Sequence, residues 1–243
     1  MIELFRNLFS PPRHLILLMA ALWIGLTLSE KRAARHKVNG QALNDLVFYA
    51  LMAFVAGGRI LFAAAHLQAF AKSPLSLFAL NLDLFDPLGG LAAACLTAIL
   101  FGQRKGLPFW PTLDALTLFF ATVMVGLGLS HLASGAAFGK ETSLPWGIEL
   151  LGATRHPSQI YETIAALAIL GIVLRTSLAR DGAAFLSFLA WTSGGRVFLE
   201  AFRGDSTLVF GGLRLAQILA WIVLAFALFG INRLQSKQQL AKS

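Results

Sequence analysis

Two stretches of this 243-residue chain hold permanent positive charge inside apolar sequence. Arg59 follows Gly57 and Gly58 within an apolar run, Leu46 to Ala65, that is long enough to cross a bilayer. A guanidinium stays charged at any accessible pH. Near mid-membrane that charge costs at least ~2.5 kcal/mol on insertion scales, so a carboxylate or an anionic ligand must offset it. The second stretch opens with Gly194-Gly195-Arg196 and continues to Glu200 and Arg203. Positions i, i+4 and i+7 share one helix face, and an Arg–Glu–Arg stripe on an apolar helix must look into a bundle interior or a wet cavity. Two arginines at membrane depth suggest a site for a lipid phosphate. The plainer alternatives are a structural pair of Arg59 with a carboxylate such as Glu162 or Glu200, and a self-satisfied ion network along the stripe.

A third cluster, Arg155-His156-Pro157-Ser158-Gln159-Ile160-Tyr161-Glu162, reads as a helix entry. Ser158 can cap, Glu162 falls about one turn in, and free amide groups at such an end favour an anion. Capping without chemistry is the other reading. His131, near the end of another apolar run and before Ser134 and Gly135, is placed to act as a base near neutral pH or to sit as a hydrogen-bonded interior residue. His66 carries less, and His14 and His36 flank the first apolar run. No Gly-x-Ser-x-Gly, His-Glu-x-x-His, phosphate loop or dinucleotide fingerprint is present, so no metal site and no cofactor are expected. Cys95, the single cysteine, excludes an internal disulfide and reads as a small buried hydrophobe.

The elements that must position these residues follow from composition. The chain is 57% hydrophobic and 13% charged, with a mean hydropathy of +0.70, where soluble domains carry about 25% charged residues. That describes a single integral membrane domain over residues 1–243, all-α and polytopic. The net charge of +8 is spread over short loops, where it sets topology and meets anionic headgroups; no nucleic-acid-binding motif accompanies it. Spans of roughly 20 residues are expected near Leu15–Ser29, Leu43–His66, Phe85–Phe101, Leu113–Ser134, Ile160–Thr176, Ala183–Phe202 and Leu213–Ile231, seven in all. Ser10-Pro11-Pro12-Arg13 precedes the first, no small-residue cleavage site closes it, and Glu30-Lys31-Arg32 follows as a stop-transfer flank, so it is read as retained. Lysine and arginine concentrate after spans one, three, five and seven, which puts the N-terminus outside and the C-terminus in the cytoplasm. The longest outer loop then runs from Gly135 to Gln159. No internal repeat is evident, and the Gln/Lys-rich C-terminal tail reads as a solvated end.

At these residues the chain resembles the prolipoprotein diacylglyceryl transferases of the bacterial inner membrane. Arg155 to Glu162 is similar to the family's Arg-His-Pro-Ser-Gln-Leu-Tyr-Glu, and Gly57-Gly58-Arg59-Ile60 to its Gly-Gly-Arg-Ile. Arg196, Glu200 and Arg203 match a late Arg-x-x-x-Glu-Phe-Phe-Arg helix, Asp205 the acid after it, and Gly89-Gly90-Leu91 the tail of His-Gly-Gly-Leu. The departures are as specific. The histidine of His-Gly-Gly-Leu falls on Leu88. The fourth-span signature Arg-x-Gly-Asn-Phe-x-Asn-Gly-Glu-x-x-Gly falls on Gly128 to Gly139, where Gly128, His131, Ser134 and Ala136 stand in place of the arginine, the two asparagines and the glutamate, and only glycines such as Gly135 remain.

The resemblance implies a reaction: a diacylglyceryl group moves from phosphatidylglycerol, or a similar anionic phospholipid, to the lipobox cysteine thiol of a prolipoprotein. It implies a multi-pass protein of the bacterial inner membrane with two lipid-borne partners. His131, Glu200 and Arg196 are then the expected catalytic residues. Arg59, Arg203, Gly89, Gly90, Gly135, His156, Ser158, Gln159, Tyr161 and Glu162 are expected to bind substrate. The missing family residues leave a second possibility: a diverged member that binds phospholipid, or passes a lipid moiety to another acceptor, without lipoprotein transferase activity.

Overall fold

The computed structural model describes residues 13–72, 84–175 and 180–240. Ser10, Pro11 and Pro12, the end of the fifth expected span at Thr176, and Lys242 of the tail lie outside them. The described residues are mostly helical: α1 (Arg13–Ala33), α2 (Gly40–Ala65), the short α3 (Leu67–Lys72), α4 (Pro87–Arg104), α5 (Phe109–Ser134), α6 (Ser158–Arg175), α7 (Ala183–Leu199) and α8 (Leu215–Leu240). Each expected span coincides with a helix. Among the described residues, five helical stretches are long and apolar enough to cross a membrane: Arg13–His36, Gly40–Ala65, Phe109–Ser134, Ser158–Arg175 and Leu215–Ser236. At 1.5 Å per residue the shortest, of 18 residues, measures about 27 Å, close to the hydrocarbon thickness. Pro87–Arg104 and Ala183–Leu199, under the third and sixth expected spans, are not among these five.

The all-α expectation needs one correction. Two antiparallel hairpins interrupt the helices, β1 (Ile148–Leu150) with β2 (Ala153–Arg155), and β3 (Leu208–Val209) with β4 (Leu213–Arg214). The first turns at Leu151 and Gly152, both at positive φ (53° and 74°), as a two-residue hairpin turn demands. Sequence hydropathy extended the last span back over Leu213, but Leu213 and Arg214 are strand residues and the helix starts at Leu215.

The chain divides into two compact units, Glu30–Thr112 and Met1–Ser29 with Leu113–Ser243. Within the first, α2 packs on α4 through glycines. A Cβ on Gly57 would overlap that of Ala93, one on Gly89 would strike Leu61, and one on Gly90 would lie 2.7 Å from the Phe54 carbonyl. Small residues let two membrane helices meet backbone to backbone, where dispersion rather than water drives association. Asp86 starts α4 by accepting the amides of Leu88 (2.9 Å) and Gly89 (3.1 Å), with Pro87 at the first helical position. Cys95 on α4 is exposed, which corrects the buried assignment: an exposed thiol on an apolar helix needs no packed pocket.

In the second unit, Leu118 and Ala121 of α5, Ile169 and Val173 of α6 and Phe188 of α7 form the core. Asp114, fully buried near the start of α5, does what the N-cap of α7 cannot. That N-cap is Gly182, which has no side chain, and the Asp114 carboxylate accepts from Gly182 N (2.6 Å) and Phe185 N (2.8 Å). These amides otherwise have no helical partner. The outward faces stay apolar: Met19 and Trp23 on α1 and Trp221, Ile222 and Phe226 on α8 are all exposed, as suits contact with acyl chains.

Candidate active site

The charged residues singled out in the sequence around α6 and α7 meet on one carboxylate. Glu162, in the second turn of α6, accepts through Oε1 from Arg196 Nη1 (2.8 Å) and Arg203 Nη1 (2.9 Å). Its Oε2 lies 3.6 Å from His131 Nδ1, an ion contact when the imidazole is protonated but too long for a hydrogen bond. Arg196 spans two acids. Its Nη2 stands 2.8 Å from Glu200 Oε2, an ion pair without hydrogen-bond alignment. Glu200 is only 1% exposed; its Oε1 accepts from Ser206 Oγ at 2.6 Å.

The expected i+7 register of Arg203 does not hold. The helix ends at Leu199, Glu200–Phe202 form a tighter 3₁₀ turn, and Arg203 is extended. Arg203 reaches the cluster from backbone pairing instead. Lys140 N donates to Phe202 O and Gly204 N to Phe138 O, both at 2.9 Å, and His156 N donates to Lys140 O. The 138–140 segment therefore lies between 202–204 and 155–156. Gly139 is needed at this crossing, since a Cβ there would overlap the His156 carbonyl. Arg203 then binds Asp205 through two parallel bonds, Nε to Oδ1 (2.8 Å) and Nη2 to Oδ2 (2.7 Å). Burial pulls its pKa down, but the bonds to Asp205 and the charge of Glu162 outweigh burial and hold the guanidinium above its ordinary value.

Donor bookkeeping separates the two arginines. Every nitrogen of Arg203 is engaged by protein acids and its side chain is 12% exposed, whereas Arg196 is 35% exposed. Arg196 is the more exposed guanidinium of the two.

The Arg155–Glu162 cluster supports this centre. Arg155 donates to Leu150 O, Gly139 O and Glu141 Oε1 and stacks on Phe138, so it braces the loop. Ser158 is the first residue of α6, and its hydroxyl donates to Ala137 O at 2.6 Å instead of capping the helix. Gln159, 1% exposed, donates to Ala136 O while its Oε1 has no hydrogen-bond partner among the described residues. Tyr161 accepts from the Trp146 indole (2.9 Å), and the His156 ring stands against Tyr161 and Phe202. Gly135, at φ 74°, makes the turn after α5. Arg59, Gly89 and Gly90 belong to the Glu30–Thr112 unit. There Arg59 is half-buried on α2, and Gly89 and Gly90 are buried in the α2–α4 contact.

Sequence reasoning missed Arg214, Ser206, Asp114 and Trp146. Arg214 Nη1 donates to Arg203 O (2.9 Å), Ser206 Oγ (2.8 Å) and the Glu200 carbonyl. It thereby ties the end of α7 to the start of α8, as does Gln217 Nε2 on Val197 O (3.0 Å). The available signal was an arginine inside the expected seventh span, Leu213–Ile231.

The prolipoprotein diacylglyceryl transferase family model matches residues 14–233. The chain is 28% identical over 237 residues to the phosphatidylglycerol–prolipoprotein diacylglyceryl transferase of Nostoc sp. (strain PCC 7120 / SAG 25.82 / UTEX 2576), covering 89% of this chain and 82% of that one. It is 27% identical over 245 residues to the enzyme of that name from Shouchella clausii (strain KSM-K16), covering 92% and 87%. To that of Lactiplantibacillus plantarum (strain ATCC BAA-793 / NCIMB 8826 / WCFS1) it is 26% identical, covering 89% and 82%. With a family match over nearly its whole length and several apolar helices of spanning length, this chain belongs to the prolipoprotein diacylglyceryl transferase family.

Proposed function

We propose that this chain transfers the diacylglyceryl group of phosphatidylglycerol to the lipobox cysteine thiol of a prolipoprotein. It does so as one membrane-embedded domain crossing the bacterial inner membrane seven times, N-terminus outside and C-terminus cytoplasmic. The observation that carries this reading is Arg196: a part-exposed guanidinium held in place by Glu162 and Glu200.

In the reaction the thiol sulfur bonds to the terminal glyceryl carbon, the bond from that carbon to the phosphate oxygen breaks, and glycerol phosphate leaves with the electron pair. Charge builds on the phosphate oxygens, where a fixed guanidinium stabilises it most. Arg196 takes that role. Glu200 orients Arg196, and Arg203 fixes Glu162 rather than the ligand. His131 takes the thiol proton, since a free thiol near ~8.5 is mostly protonated at neutral pH. Arg59, Gly89 and Gly90 in their own unit, and Gly135, His156, Ser158, Gln159 and Tyr161 in the other, bind substrate or shape the place where it binds.

The test is rescue: expression in cells depleted of their own transferase, with lipid on a prolipoprotein as the readout. Growth with lipidated prolipoprotein supports the reading; expression without lipidation refutes it. A second reading has its own observation. Leu88, where the resemblance puts the family's histidine, is 78% exposed and offers no polar group. A chain that binds phosphatidylglycerol vesicles yet fails to rescue is the diverged phospholipid-binding member.

A further inference from the structure

We propose that Glu162 is a positioning residue that forms a dyad with His131, holding the imidazole with Nδ1 toward the carboxylate so that Nε2 receives the thiol proton. The inference rests on the transferase reading and adds the carboxylate, the tautomer and the nitrogen that does the work.

Four observations carry it. The two arginines both engage Glu162 Oε1 (2.8 and 2.9 Å), which leaves Oε2 as the oxygen facing His131. His131 Nδ1 is buried against that oxygen, 3.6 Å away, and makes no hydrogen bond among the described residues. The ring is 34% exposed, so its exposure falls on the atoms other than Nδ1. The groups come from different helices, His131 from the last turn of α5 and Glu162 from α6, and α5 and α6 meet closely where a Cβ on Gly128 would overlap the Thr163 hydroxyl. The dyad's span is therefore set by packed backbone. A catalytic contact is often long without substrate and tightens when substrate binds, so the 3.6 Å separation is expected to shorten in the working complex.

The charges around His131 favour the exchange. Glu162 faces it directly. Arg196 and Arg203 bind the far oxygen of Glu162, and Glu200 and Asp205 neutralise those two arginines in turn. The carboxylate next to the imidazole is thus held by two arginines on its far oxygen, the arrangement that orients a histidine base in other hydrolytic and transfer sites. When the sulfur attacks, its proton moves to Nε2, the imidazolium is stabilised by Oε2, and the proton then passes to the departing phosphate or to water.

The experiment uses the full chain in nanodiscs. Nitrogen-15 NMR of the five histidines, with His131 assigned by its loss in His131→Asn, reads the tautomer directly. Neutral His131 is expected to carry its proton on Nδ1; a proton on Nε2 overturns the dyad. Transfer of labelled phosphatidylglycerol onto a lipobox peptide is followed against pH in the same preparation. His131→Asn is expected to lose about 10²-fold in rate together with the acid limb of the profile. Glu162→Asp, which keeps the charge, retains a limb, and Glu162→Gln moves it down by about one pH unit, because a carboxylate no longer favours the imidazolium. An unmoved limb in both His131→Asn and Glu162→Gln overturns the dyad while leaving the transferase reading intact. A wild-type chain that transfers nothing overturns that reading and the dyad's catalytic use with it, whichever tautomer is seen.

Discussion

Arg196 is the residue at which stability and chemistry can be separated. Its two terminal nitrogens sit 2.8 Å from Glu162 and 2.8 Å from Glu200. Arg196→Ala therefore removes a phosphate donor and leaves Glu200, 1% exposed, with the Ser206 hydroxyl as its remaining side-chain partner. Breaking a buried ion pair by deleting one partner costs about 3–5 kcal/mol; since a third of Arg196 is exposed, the lower end, about 3 kcal/mol, is expected for stability. Losing a donor to developing charge costs about 10²–10³ in rate. The double variant Arg196→Ala/Glu200→Gln removes the orphaned charge as well, so most of the lost stability should return while activity should not. Thermal unfolding in nanodiscs and transfer of labelled phosphatidylglycerol onto a lipobox peptide read the two effects side by side. Arg196→Lys keeps the charge but cannot fork between two carboxylates, and should fall between wild type and Arg196→Ala. Near-wild-type transfer by the stable double variant would refute the clamp assignment.

Two further outcomes follow from packing and capping. Gly90→Ala places a methyl 2.7 Å from the Phe54 carbonyl and should destabilise the α2–α4 contact by about 1–3 kcal/mol, as overpacking does. Gly102→Ala on the same helix meets Leu46 at an ordinary 3.7 Å, and should be neutral or better because alanine favours helix by up to about 1 kcal/mol; equal melting shifts for the two would refute the contact. Asp114→Ala leaves two amides at the start of α7 without their acceptor, at about 1–3 kcal/mol each. Asp114→Asn, which keeps an acceptor oxygen, should lose less, and identical losses would show that the carboxylate is not the cap.

The helices were legible because apolar runs of about 20 residues leave a chain few alternatives in lipid. Their ends were less so. The third span was expected to start at Phe85; the helix there starts at Pro87, where Asp86 caps it. The sixth was carried to Phe202, past the point where Glu200 enters a 3₁₀ turn. That error moved Arg203 off the expected stripe, yet its side chain still reaches the cluster, because what brings it there is pairing with residues 138–140, more than sixty positions earlier. Spacing along one helix revealed Arg196 with Glu200. It could not reveal Glu162 as the common partner, since no periodicity links α6 to α7. Asp114 escaped for the same reason, since the amides it holds lie 68 and 71 positions on; Arg214 escaped because its acceptors, the Glu200 and Arg203 carbonyls and the Ser206 hydroxyl, follow no helical spacing.

The cap on α7 has a consequence for biogenesis. A ribosome makes Asp114 nearly seventy residues before the amides it will hold, so for most of that interval the carboxylate belongs to a helix that has no client. When Gly182 and Phe185 emerge, the late helix finds its first turn already templated by an earlier neighbour. The first turn of α7 is thus satisfied by a side chain made earlier, on α5, rather than by its own glycine N-cap.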